Sequence, residues 1–233
     1  MNRTKSISRL FRQLLARHPD APAFLLVGIS LAWCAALWLA RSWSAKNLYY
    51  DFLPYNLSLA VIPLILSTIA LRMEGGIALF AWLLPWLVFF PNAPYVLTDL
   101  IHLRPRHDAP FWFDWGFLVS CAGTGLLIGL VSLRQVYRRL RDSFGMASAE
   151  IAVLAVVGLS GFGIYLGRFI RWNSWDIATR PFAFAADIMN RVLHPFDHPR
   201  MVVYSICVAV MLTLSWFAFR IMGLKSDWWA EPD

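Results

Sequence analysis

Six stretches of this sequence carry no charged residue and are long enough to cross a membrane. They cover residues 21–40, 52–71, 75–98, 115–133, 151–167 and 201–219. A transmembrane helix needs about 20 predominantly apolar residues, with a range of about 17–25. Because the hydrocarbon core holds no water, the backbone groups of a spanning segment must be satisfied internally, which favours helices. The sequence therefore predicts an all-α, polytopic membrane helix bundle of about six transmembrane helices.

The composition agrees with a membrane protein and argues against other classes. Of the 233 residues, 59% are hydrophobic and 15% are charged, whereas soluble domains average about 45–50% apolar and about 25% charged residues. The net charge is +7, but the cations lie between the apolar runs, which suits an anionic membrane surface rather than nucleic acid. Cys34, Cys121 and Cys207 each lie inside an apolar run, where packing is a better interpretation than a disulfide or a zinc site.

The chain divides into a basic N-terminal segment, a membrane domain and a short tail. Residues 1–20 place apolar side chains at the spacing of an amphipathic helix on a membrane surface, at Ile7, Leu10, Phe11, Leu14 and Leu15. An ordinary charged tail is the alternative. Residues 21–222 hold the six spans and residues 223–233 form the tail. Residues 181–193 begin with a proline and have one apolar face, which predicts a short interfacial helix.

The lysine and arginine residues between the runs predict the orientation. With the N-terminus inside, inner segments carry twelve of them and outer segments nine. Before the long last outer loop the counts are ten and four. Because cytoplasmic loops carry an excess of Lys and Arg, we expect both termini on the cytoplasmic side.

Under this orientation the unusual polar residues collect on the outer side. The candidate substrate-binding residues are Asn56, Asn92, Tyr95, Arg168, Arg171, Asn173 and Asp176, and the candidate catalytic residues are Asp99 and His102. The inner segment at residues 134–150 is basic and polar, as a positioning loop should be. This asymmetry predicts an extracytoplasmic site.

The third run is broken near its outer end. Pro91 and Pro94 each remove a backbone donor and disfavour the helical conformation of the preceding residue. Such backbone is tolerated at membrane depth only where it is buried in protein or lines a cavity. Asp99 and His102, three residues apart, would share a helix face. They indicate a metal-ligand pair or a histidine oriented for proton transfer, and a helix cap beside a solvated histidine is the alternative.

Two arginines after the fifth run indicate an anion site. Arg168 and Arg171 would share a helix face, where two guanidinium groups can clamp a phosphate or a carboxylate. The alternative is a pair of arginines that reach to the interface beside Trp172 and Trp175. Asp176 is placed to pair with the arginine one turn on.

The remaining motifs are weaker signals. Gly125-x-x-x-Gly129 and Gly163-x-x-x-Gly167 lie in the fourth and fifth runs and would permit close helix approach. His194 and His198 are four residues apart, but prolines break the helical register, so a two-histidine metal motif is not expected. The identity of any metal or cofactor is left open.

Three stretches carry a resemblance to a known family. Residues 90–102 (FPNAPYVLTDLIH), residues 163–176 (GIYLGRFIRWNSWD) and residues 55–60 (YNLSLA) with the following Pro63 resemble a bacterial integral-membrane family, domain of unknown function 1361. The likeness covers roughly residues 49–219. It implies a multi-pass protein of the bacterial inner membrane, and no catalytic role is carried over from it.

Three functions stay open at this point. The first is an enzyme that acts on a lipid-linked or envelope substrate, with Asp99 and His102 as acid–base or metal groups and arginines holding an anionic head group. The second is a transporter or channel, which the proline-broken spans favour and the absence of mid-span charges opposes. The third is a scaffold that binds a protein partner through its aromatic outer face. The expected partners are the lipid bilayer and an anionic lipid or lipid-linked substrate, without nucleic acid; any protein partner is unknown.

Overall fold

The computed structural model describes residues 20–44, 49–73 and 76–226. The predicted amphipathic segment before residue 20 and most of the predicted tail lie outside the described residues. Within these ranges the chain is helical and contains no β-strand.

In the described part of the chain, six helices are long and apolar enough to span a membrane: Ala21–Trp43, Phe52–Ala70, Gly76–His102, Phe111–Phe144, Met146–Ile170 and Pro199–Met222. We name the helices α1 (Ala21–Ser44), α2 (Phe52–Ala70), α3 (Gly76–Phe89), α4 (Asn92–Tyr95), α5 (Phe111–Phe144), α6 (Met146–Tyr165), α7 (Asp176–Thr179), α8 (Pro181–Leu193) and α9 (Pro199–Ser226). A 3₁₀ turn (Val96–His102) follows α4, a π turn (Leu166–Ile170) follows α6, and a second 3₁₀ turn (Pro195–Asp197) follows α8. The predicted all-α polytopic bundle is confirmed, and α8 has the predicted bounds.

Helix α5 lies at the centre of the bundle. In its most apolar stretch 61% of the residues are buried, against 11% in α1 and 17% in α9. Helices α1, α2 and α6 pack on α5, while α9 packs mainly on α6. Leu118 and Ile128 of α5 join the core shared with α1 and α2, and Leu133 and Val136 join the core shared with α3, α6 and α9. The peripheral helices leave large apolar surfaces exposed, as lipid-facing helices do.

The predicted positioning loop at residues 134–150 is wrong. Helix α5 continues to Phe144, and a single residue, Gly145 with φ 84°, joins it to α6. Hydropathy falls at Arg134, but arginine forms helix readily, and Val136 and Tyr137 keep one face of this extension buried. A change in polarity marked the end of the apolar run and not the end of the helix.

The third span is broken where the two prolines predict it. Helix α3 ends at Phe89, and the short α4 and its 3₁₀ turn carry the chain on into the bundle, with Ala93, Pro94 and Val96 buried. Glycines of two neighbouring helices allow this close approach. A Cβ at Gly125 would lie 2.7 Å from the Ala93 carbonyl oxygen, and a Cβ at Gly163 would lie 3.1 Å from Pro91 Cγ. Both small-residue motifs therefore pack against the broken segment.

Candidate functional site

We call the end of the bundle that carries Asn56, residues 92–102 and residues 168–176 the polar end. Residues 92–102 and 168–176 approach each other closely at this end because Gly167 has no side chain. A Cβ at Gly167 would lie 3.3 Å from the Tyr95 ring. The π turn after α6 then directs the Arg168 side chain toward the 3₁₀ turn that carries Asp99. Candidate residues that are far apart in the sequence thus become neighbours.

Asp99 and Arg168 form the centre of this network. Arg168 Nη2 donates to Asp99 Oδ1 at 2.5 Å, and Asn56 Nδ2 donates to Asp99 Oδ2 at 2.8 Å. The side chains of Asp99 and Arg168 are 2% and 12% exposed, so the pair is largely shielded from solvent. Removing one partner of a buried ion pair costs about 3–5 kcal/mol because the other charge remains without compensation. The pair links the third and fifth spans, and Asn56 adds the second.

Arg168 also contacts Thr98 and Tyr95. Its Nε donates to Thr98 Oγ1 at 2.9 Å, and its Nη2 also reaches that oxygen. Its Cζ lies 4.4 Å from the centre of the Tyr95 ring, a cation–π contact. Thr98 is held in turn by donating to the Tyr95 carbonyl at 2.6 Å.

His102 completes the network and is exposed to solvent. Its Nε2 lies 2.9 Å from Arg168 Nη1. Because a guanidinium group can only donate, Nε2 is the acceptor, and the neutral ring carries its proton on Nδ1. Arg168 therefore lies between Asp99 and His102, which do not form a direct pair. Among the described residues no group of three or more His, Cys, Asp or Glu side chains is placed to hold a metal ion.

Beside this network lies a pocket of about 130 Å³, which we call the polar-end pocket. Its polar lining consists mainly of amide and hydroxyl groups, and its aromatic lining comes from α2, α4, α8 and the loop after the π turn. These lining residues include Tyr55, Asn56, Asn92, Tyr95, Trp172, Asn173, Ser174, Trp175 and Phe184. Asn56 and Tyr95 also contact the ion pair, so they connect the pocket to the network. Asp99, His102 and Arg168 do not line the pocket.

Asn92 donates hydrogen bonds at the break in the third span, where backbone carbonyl groups lack helical partners. Its Nδ2 donates to the Phe89 carbonyl and to Ser174 Oγ, both at 3.0 Å. Ser174 Oγ donates in turn to the Val88 carbonyl at 3.3 Å. These bonds satisfy the Val88 and Phe89 carbonyl groups at the break and fix the wall between α3 and the loop after α6.

Asp176 holds that loop in shape. Its Oδ2 accepts from the Asn173 backbone N–H at 2.7 Å, and its Oδ1 accepts from Arg180 Nη2 at 3.1 Å. The Asn173 backbone bond first, and then the Arg180 guanidinium, lower the pKa of Asp176 below its usual range. The predicted pairing with the arginine one turn on is present.

Arg171 and Arg168 do not project together as the two-arginine hypothesis expected. Arg171 adopts a left-handed conformation with φ 66°, which ends the π turn, so its exposed side chain leaves the bundle while Arg168 enters it. The left-handed region costs a non-glycine residue about 1–2 kcal/mol, and such strain concentrates at functional positions. Within the described part of the chain Arg171 has no hydrogen bond or ion pair.

His194 and His198 lie outside the pocket lining.

A second polar cluster at the same end was not predicted. Arg41 Nε donates to Asp114 Oδ1 at 2.6 Å, and Arg41 Nη2 donates to Asp108 Oδ1 at 3.0 Å. Arg41 and Asp114 are buried, and the hydrogen bond from Arg41 lowers the pKa of Asp108. In the sequence these residues look like ordinary charges that flank apolar runs. Their pairing depends on α1 packing on the start of α5, which no local pattern encodes.

The comparisons with known proteins assign the family and no activity. No match was found among curated proteins or among solved structures. A family model described as "Protein of unknown function (DUF1361)" matches residues 55–215, which include the whole network and the whole pocket lining. Because this match covers more than half of the chain, the protein belongs to the DUF1361 family, and the six apolar helices in its described residues make it an integral membrane protein.

Proposed function

We propose that the polar-end pocket binds the head group of a lipid-linked or envelope substrate, at the extracytoplasmic face of a bacterial inner membrane. The observation that carries this proposal is the lining of the pocket. Aromatic rings pack against the apolar faces of a polar ligand, the Asn92 side-chain oxygen can accept a hydrogen bond from it, and the Asn173 amide can donate and accept. This chemistry suits a hydroxyl-bearing head group.

The position and the size of the pocket support the same class of ligand. The pocket lies where the third and fifth spans end, so a ligand anchored in the bilayer reaches it without leaving the membrane. Its volume of about 130 Å³ is below the roughly 300–1,000 Å³ typical of sites for drug-sized ligands. A single small polar unit fits such a pocket better than a long soluble chain.

In this proposal Asp99 and Arg168 are positioning residues. Both carboxylate oxygens of Asp99 are occupied, and the pair acts on the pocket through Asn56 and Tyr95. If the protein is an enzyme, the ring nitrogen of His102 left for proton transfer is Nδ1, because Nε2 accepts from Arg168. We therefore propose the binding function first and a catalytic role of His102 as its extension.

The test compares two tryptophans of the same end of the bundle. Trp175 lines the pocket, whereas Trp112 is 70% exposed and lies outside the pocket lining. Wild-type protein, Trp175→Ala and the control Trp112→Ala are purified from membranes in an amine-oxide detergent, and retained amphiphiles are identified by native mass spectrometry. We expect wild type and Trp112→Ala to retain one amphiphile per chain and Trp175→Ala to lose it.

Equal retention by all three proteins would refute the pocket as the binding site. If proteoliposomes take up a solute, and Trp175→Ala leaves that uptake unchanged, the transporter would be favoured. Co-purification of one protein at constant ratio, unchanged in Trp175→Ala, would favour the scaffold.

A further inference from the structure

A second concavity adjoins the polar-end pocket across the ring of Trp172. It has a volume of about 310 Å³ and is lined by Ile170, Arg171, Trp172, Arg180 and Asp187. We call it the arginine depression. Trp172 lines both concavities, so a ligand in one lies directly beside a ligand in the other.

Contacts from both sides hold the dividing ring in place. Trp172 Nε1 donates to Asp187 Oδ2 at 2.9 Å, and its ring packs edge-to-face on Phe184 with centroids 5.4 Å apart. The Arg180 guanidinium lies 5.0 Å from the centre of the same ring. The wall between the two concavities is therefore fixed before any ligand binds.

The charge of the arginine depression is positive. Asp187 is paired with Arg191 at 3.0 Å, and Asp176 is paired with Arg180 at 3.1 Å. Arg171 then leaves one cation in excess, because it has no ion pair among the described residues. Arg180 is also available, since its side chain is 62% exposed and Asp176 engages only its Nη2.

Arg171 is placed at this site rather than in the Asp99 network. Its side chain lines the arginine depression and, among the described residues, makes no hydrogen bond or ion pair to that network, where Arg168 is already neutralised. Two guanidinium groups beside an aromatic ring are the groups that recognise phosphate, through short charge-assisted hydrogen bonds. A neutral ligand would gain little from an exposed, uncompensated arginine.

We infer that Arg171 and Arg180 bind the phosphate of a phosphate-bearing amphiphile whose head group enters the polar-end pocket on the other side of Trp172. This inference rests on the proposed function and adds the chemical class of the substrate. It also replaces the pair Arg168 and Arg171, expected from the sequence, by Arg171 and Arg180.

The experiment titrates delipidated protein in amine-oxide detergent with three probes. Dihexanoyl phosphatidylglycerol is the phosphate-bearing amphiphile, octyl glucoside is an uncharged amphiphile, and inorganic phosphate is the free anion. The variants are Arg171→Gln, Arg180→Gln and their double variant. Arg200→Gln is the matched control. Arg200 is an exposed arginine at the start of α9 and lies outside both concavities.

We expect each substitution of Arg171 or Arg180 to raise the Kd for dihexanoyl phosphatidylglycerol by about tenfold, as for the loss of a hydrogen bond to a charged group. Arg200→Gln should leave it unchanged. Octyl glucoside should bind the double variant as it binds wild type and should lose affinity in Trp175→Ala. Inorganic phosphate should bind more weakly than the phosphate-bearing amphiphile.

Three results would overturn the inference. If the double variant and Arg200→Gln bind dihexanoyl phosphatidylglycerol equally, the arginines are not a phosphate site, while loss of octyl glucoside affinity in Trp175→Ala would keep the proposed function. If inorganic phosphate binds as tightly as the amphiphile, the site is one for free phosphate. If Trp175→Ala changes no probe, the proposed function fails and the inference fails with it.

Discussion

Substitution of Gly125 by alanine tests the packing that forms the site. A Cβ at this position would lie 2.7 Å from the Ala93 carbonyl oxygen and 2.8 Å from Val96 Cβ. Both neighbours belong to the broken segment, whose backbone is held between α2, α5 and α6 and cannot move without shifting Asn92 and Tyr95. Overpacking of this kind costs about 1–3 kcal/mol.

Two other glycines of α5 supply the controls. A Cβ at Gly123 meets nothing within 4 Å, and a Cβ at Gly129 would lie 3.4 Å from Ala93 Cβ. All three substitutions gain the same helix propensity, about 1 kcal/mol, so differences between them measure the packing. The assay is unfolding of detergent-solubilised protein, followed by circular dichroism.

We expect the stability to fall in the order Gly123→Ala, Gly129→Ala, Gly125→Ala, with about 1–3 kcal/mol between the first and the last. A Gly125→Ala protein as stable as Gly123→Ala would show that the broken segment does not approach α5 at this point. The arrangement of the pocket walls described above would then be wrong.

Three further predictions follow from the polar end. Asp99→Asn should destabilise the protein by about 3 kcal/mol because it leaves the shielded Arg168 uncompensated. The control Asp142→Asn breaks the pair with Arg141, whose two side chains are 48% and 59% exposed, and should cost under about 1 kcal/mol. Equal unfolding midpoints for the two variants would contradict the buried pair. The pKa of Asp176 is lowered, so its contribution to stability is complete above the unfolded-state pKa of about 3.9 and is lost as the pH falls through the lower folded-state value. Thermal unfolding as a function of pH should therefore show a smaller decrease in acid for Asp176→Asn than for wild type, and unchanged curves would refute the assignment. In a background without the native cysteines, a cysteine at the exposed position Asn173 should react with a membrane-impermeant thiol reagent in intact cells, and one at Asp142 only after lysis; the reverse pattern would invert the predicted orientation.

The buried pair of Asp99 and Arg168 limits which reactions and ligands the polar end can support. A free carboxylate beside a free histidine would have suited metal binding or proton transfer. Arg168 lies between the two groups instead and occupies Asp99 Oδ1 and His102 Nε2. The remaining ligand-binding capacity of this end lies in the neutral pocket and in the arginines that face outward.

The sequence by itself determined the class of fold and the place of the break in the third span. Runs of uncharged residues specify spanning helices because lipid leaves the backbone no other hydrogen-bond partners. Pro91 and Pro94 specify the break because each removes a donor. The bounds of α8 were equally local, since Pro181 starts the helix and its apolar periodicity continues to Leu193.

The tertiary structure alone decided which polar residues meet. Arg168 could have reached to the interface or clamped an anion, and its pairing with Asp99 comes from a contact between residues 69 positions apart. Arg41 and Asp114 form their buried pair across 73 positions. Such partners depend on helix packing and on the direction in which a single backbone conformation sends a side chain, as the left-handed Arg171 shows. Periodicity describes only neighbours along the chain, and composition describes no positions at all. Neither carries information about helix packing or about the direction of a side chain.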